Sequence, residues 1–123
     1  MMALAIPNVL FQAGRIAVGV AFLANTEQAS ARWIGEAAAG ADGGVMARAF
    51  GVRDVALGAA TISAARGGNL RTLLALGILC DVVDCAATLA AGERIPQQAR
   101  VVSAAVAAGA ALNGVALLAA TRD

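Results

Sequence analysis

Four stretches of the chain are almost continuously apolar, and polar residues gather between them. They cover residues 6–24, 45–65, 70–91 and 100–120. Each is about the length a helix needs to cross a ~30 Å hydrocarbon layer at roughly 1.5 Å per residue. The pattern predicts an all-α fold: an integral membrane four-helix bundle, one domain over residues 1–123, with its spans in up-down order. A soluble four-helix bundle is the rival, and it lacks a charged stripe to face water on any segment. For the first segment a cleaved leader is the other rival, since Ala29-Ser30-Ala31 has the cleavage-site form. Against it, no cationic side chain precedes the apolar run, and Arg15 interrupts it.

The connection over residues 25–44 is more polar and predicts a short interfacial helix between the first and second spans. Asn25 followed by Gln28 resembles a capping box. Ala29, Trp33 and Ala37 can share one face, with Trp33 at headgroup level. The alternative is a short helix packed on the bundle. Ala41-Asp42-Gly43-Gly44 reads as its end, Arg66-Gly67-Gly68-Asn69 as a tight turn, and Pro96 as the break before the last span.

Within each span, steps of three and four residues pick out one seam of small or polar side chains. The first holds Asn8, Gln12, Arg15 and Gly19. The second holds Ala47, Gly51, Asp54, Gly58, Thr61 and Ala65, and the third Gly77, Asp81, Asp84, Thr88 and Ala91. The fourth, the shortest, holds Gly109, Asn113, Ala116 and Ala120. Leu, Ile, Val and Phe fall mostly elsewhere. Small residues let helices approach closely in lipid, and polar ones hydrogen-bond across the contact. Gly51, Gly58, Thr88 and Asn113 are therefore expected at helix contacts.

Charge sharpens the picture. Arg15, Arg53, Asp54, Asp81 and Asp84 sit near the middle of their spans, so stacking them forms one polar layer at the bilayer midplane. A single charge at that depth costs about 2.5–3.5 kcal/mol even on lenient insertion scales. The group must be paired, protonated or wet, and the forked guanidinium suits two carboxylate oxygens at once. The expectation is Arg15 or Arg53 bridging to Asp81 or Asp84.

Composition excludes several functions. The chain is 60% hydrophobic and 14% charged, against roughly half and a quarter in soluble domains. Net charge is +1, which offers nothing to nucleic acid. All nine cations are Arg, a bias of GC-rich bacterial coding, and there is no His, the commonest general base and metal ligand. Cys80 and Cys85 lie on different faces of one helix and cannot pair with each other there. They read as packing residues. A soft-metal site shared with the aspartates is the alternative, without a C-x-x-C or His in support. No cofactor or metal is called for.

Three segments together resemble a known family. They are Trp33-Ile34-Gly35, the run from Ala47 through Gly51-Val52-Arg53-Asp54 to Leu57-Gly58, and Asp81-Val82-Val83-Asp84 with Thr88. The family consists of small four-span bacterial membrane proteins, common in actinobacteria and classed as a domain of unknown function. The resemblance implies the same topology and marks the charged residues, and it implies no activity. Asp81-x-x-Asp84 also resembles the first half of the metal motif of CDP-alcohol phosphotransferases. Here Cys85 follows where that motif has Gly, and the second aspartate pair is missing, so the enzyme reading is the weaker one.

The sequence thus predicts a multi-pass protein of the bacterial inner membrane, with the lipid bilayer as its first partner. Its expected role is structural or accessory, within a homo-oligomer or a larger membrane complex. Proton- or ion-coupled transport of a small solute by a homo-oligomer is the alternative. Arginines are nearly balanced between the two sides. Arg66 and Arg71 flank a very short turn, which favours cytoplasmic termini.

Overall fold

The computed structural model describes residues 2–65 and 68–121, the side chains of residues 2–4 and 42 excepted. Arg66, Gly67 and Arg122, on which part of the turn and orientation reading rests, lie outside the described residues. Among the described residues the chain is helical nearly throughout and holds no strand. The helices are α1 (Met2–Ala24), α2 (Thr26–Ile34), α3 (Ala41–Ala64), α4 (Leu70–Ala91) and α5 (Gln97–Ala120), with single 3-10 turns at Glu36–Ala39 and Gly92–Arg94. Three stretches, Ala5–Ala24, Leu70–Arg94 and Gln97–Ala120, are long and apolar enough to cross a membrane. The helix α3 is equally long, but it carries Arg48, Arg53 and Asp54 and is not among them.

Two antiparallel hairpins make the bundle, α1 with α3 and α4 with α5. Glycine sets the first. A methyl group on Gly19 would lie 2.6 Å from the Gly51 carbonyl oxygen, and one on Gly51 would lie 2.8 Å from the Gly19 carbonyl oxygen. Gly58 repeats the fit against Ile16 and the Gln12 backbone. Real side chains do not approach so closely, so these backbones touch because no Cβ stands between them. In the second hairpin Gly114 receives Ile78 in the same way. Between hairpins the contact is sparse: α3 touches α4 lightly, and α1 barely meets α5.

Burial runs opposite to that of a soluble domain. Asn8, Gln12, Arg15, Thr26, Ser30, Asp54, Thr61, Asp81 and Ser103 are buried, while Met46 is 70% and Leu112 71% exposed. The first three seams face inward, Asp84, Thr88 and Ala91 half-buried, with Ala65 exposed at the end of its helix. The fourth seam needs correction. Gly109, Asn113, Ala116 and Ala120 are all exposed, and α5 buries Ser103, Ala104, Ala107, Ala111, Gly114 and Leu117 instead. Past Arg100 this helix has no charge to mark its inner side, and Ala and Gly occur on every face. The stripe carrying Ser103 and Gly114 wins because each has a specific partner, the Trp33 carbonyl and the Ile78 side chain.

Helix ends also differ from expectation. Ala41–Gly44 forms the first turn of α3 rather than a terminator, with Gly40 as the N-cap. Asn25 caps α2 without a side-chain hydrogen bond, so no capping box forms. Ala37 lies in the 3-10 turn beyond α2 and shares no helix face with Trp33. Trp33 itself turns inward. Its ring meets Phe22 edge-on at 5.8 Å and Phe50 at 5.7 Å, and its carbonyl accepts a 2.6 Å hydrogen bond from Ser103 Oγ. The helix α2 is thereby fastened across one end of the bundle. Gly35, at φ +110°, makes the turn that follows, a conformation L side chains rarely adopt.

Candidate functional site

The charged residues sit where the two hairpins meet. From α1, Arg15 donates Nη1 to Asp81 Oδ1 at 3.1 Å and Nη2 to Asp81 Oδ2 at 2.6 Å. From α3, Arg53 treats Asp84 alike, at 3.1 and 2.6 Å. Both aspartates are on α4, three residues apart and on one helix face. Each guanidinium therefore spans from the first hairpin to the second as a bidentate fork, the strongest form of this contact.

Asp54 is the third carboxylate and is treated differently. Its Oδ1 accepts from Arg53 Nη2 at 3.2 Å and lies 3.5 Å from Arg15 Nη1. Three carboxylates share two guanidiniums, a formal excess of one negative charge. Arg15, Asp81 and Asp54 have side chains less than a tenth exposed, whereas Arg53 is 31% and Asp84 22% exposed. Aromatic faces complete the setting: the Arg15 guanidinium lies 5.4 Å from the Phe11 ring centre and that of Arg53 4.6 Å from the Phe50 ring centre.

The other predicted contact residues divide. Gly51 and Gly58 stand at the α1/α3 contact described above. Thr88 Oγ1 donates to the Asp84 carbonyl of its own helix at 2.6 Å, so its hydroxyl bridges no helices. Asn113 faces outward. Cys80 and Cys85 are free thiols, both half-buried.

A cavity of about 340 Å³ lies beside the charged layer, in the gap where α1 and α5 stand apart. Phe11, Trp33 and Phe50 form much of its apolar wall, and Asp54, Asp81 and Asp84 reach its surface. Sequence reasoning missed it, because a gap is defined by contacts that are not made. It also missed Ser103 and Phe11. On the far side of the Arg15–Asp81 pair a much smaller cavity, about 10 Å³, is bordered by Gln12 and Thr61. There Gln12 donates Nε2 to Asn8 Oδ1 at 3.3 Å, continuing a polar line along α1. Comparison with protein-family models, with curated proteins and with solved structures finds no match.

Proposed function

We propose that the chain is a four-span protein of the bacterial inner membrane whose charged layer locks two helical hairpins together, serving as a structural or accessory membrane subunit. In this reading α1, α3, α4 and α5 cross the bilayer, α2 lies at one interface, and both termini face the cytoplasm. The resemblance to small four-span actinobacterial proteins belongs to the same proposal. One observation carries it: Arg15 and Arg53, one from each helix of the first hairpin, are both spent on the aspartates of α4, at a boundary where the hairpins otherwise touch little. Removing one member of a buried pair costs about 3–5 kcal/mol, since the survivor is left buried and unpaired. That is a large share of a typical domain stability of about 5–15 kcal/mol.

Proton- or ion-coupled transport by a homo-oligomer is the second reading, favoured by the cavity that reaches Asp54, Asp81 and Asp84. Proton flux into liposomes containing the purified protein separates the two. The structural reading expects no flux above that of empty vesicles, and loss of thermal stability in Asp81→Asn and Asp84→Asn. Flux in the parent that both substitutions abolish overturns it in favour of transport.

A further inference from the structure

We infer that the cavity between α1 and α5 is a binding site for a small organic cation, an ammonium group carried on an apolar body. Asp54 is the first reason. Its side chain is 7% exposed, and both of its arginine contacts go to Oδ1. Among the described residues nothing donates to Oδ2, and Asp54 borders the cavity. Asp54 thus leaves one carboxylate oxygen without a protein donor beside a largely apolar cavity, and a cationic donor arriving through the cavity supplies one.

The charge on the wall points the same way. Asp54, Asp81 and Asp84 all contribute to it, but only one of the two arginines, Arg15, does. An anion entering here meets three carboxylates against one guanidinium. A lipid acyl chain can fill the space, but it leaves Oδ2 unanswered. Size and lining suit a small molecule with a ring or short alkyl body, since about 340 Å³ falls within the ~300–1,000 Å³ of typical ligand pockets. Of the three aromatic rings, Phe11 and Phe50 already face arginines. Trp33, packed on Phe22 and Phe50, also borders the cavity without an arginine over it, and indole is the best of the aromatic partners for a cation.

Access follows from two glycines. Gly14 on α1 and Gly109 on α5 both border the cavity, both are exposed, and a methyl group on either would meet nothing within 4 Å. They leave the mouth wide without contributing to helix packing. This inference is independent of the accessory-subunit reading, because binding requires neither a partner protein nor passage across the membrane.

Trp33 is the chain's single tryptophan, so its fluorescence reports the site directly. The test uses the full-length protein in lipid nanodiscs, titrated with benzylammonium and, in parallel, with neutral benzyl alcohol and with benzoate. The expected result is a saturable change in Trp33 emission with benzylammonium alone. Its affinity should fall about tenfold or more in Asp54→Asn, the loss expected when a charged hydrogen-bond partner is removed. Gly109→Leu, which projects into open space and leaves the charged layer intact, should weaken binding by narrowing the mouth. Equal responses to the cation and the alcohol overturn the inference, as does unchanged benzylammonium affinity in Gly109→Leu. The second variant keeps the test decisive where Asp54→Asn fails to fold. Proton flux reports on transport separately, so failure of either proposal is distinguishable from failure of the other.

Discussion

On the side of α1 that faces α3, Gly19 sits against the Gly51 backbone, and a methyl group there would be 2.6 Å from a carbonyl oxygen. On the side that faces α5, Gly14 has nothing within 4 Å of the same hypothetical methyl. One residue type serves one helix in two ways. Toward α3, glycine removes the atoms that would hold two backbones apart. Toward α5, it leaves a space that no neighbour fills, next to the buried carboxylates. The difference lies in the partner. The helix α3 answers with Gly51 opposite Gly19, whereas α5 presents its packing stripe to α4 and turns Gly109 to the cavity. A glycine count therefore says little about helix packing until each glycine's opposite number is known.

The largest effect that tests this contrast comes from the charges between the two seams. Arg15→Ala should lower stability by about 3–5 kcal/mol, because Asp81 loses its fork and stays buried. Adding Asp81→Ala should recover part of that loss, giving a non-additive double-mutant cycle in thermal unfolding of the detergent-solubilised protein. Next comes the tight seam. Gly51→Ala should cost about 1–3 kcal/mol, since backbone rather than a movable side chain blocks the new methyl. At the open seam the sign reverses. Gly14→Ala or Gly109→Ala should be neutral or stabilise by up to about 1 kcal/mol, through helix propensity alone. Should Gly14→Ala instead destabilise like Gly51→Ala, something packs against that seam in the membrane and the two sides of α1 do not differ. The smallest effect is expected at Asn113→Leu, within about 0.5 kcal/mol, as for an outward side chain with no partner.

Three of the four inward faces were legible because each carries residues that lipid penalises. Arg15 with Asn8 and Gln12 marks the phase of α1, Asp54 that of α3, and Asp81 with Asp84 that of α4. The helix α5 has no such residue past Arg100, and Asn113, its most polar side chain there, pointed to the wrong face. Ser103 and Gly114 carried the true signal, but each acquires meaning only through a neighbour that periodicity cannot name. Pairing was legible in the same partial way. Spacing put two aspartates of α4 on one side and two arginines within reach, and it left open which met which. The height of each arginine along its own helix decides this: Arg15 meets Asp81, and Arg53 meets Asp84. The cavity could not be read at all, because it follows from how far α1 stands from α5.

The forks joining the hairpins bear on how such a chain is made. To the charged layer the first hairpin brings Arg15, Arg53 and Asp54, a surplus of one positive charge, and the second brings Asp81 and Asp84, which turn it into an excess of one negative charge. During synthesis the first hairpin emerges from the ribosome before the aspartates of α4 exist. A hairpin released alone into lipid would expose a guanidinium with no counter-ion. In the four-span reading, holding α1 and α3 beside the insertion machinery until α4 arrives spares that guanidinium its exposure to lipid, which ties release of the first hairpin to synthesis of the second.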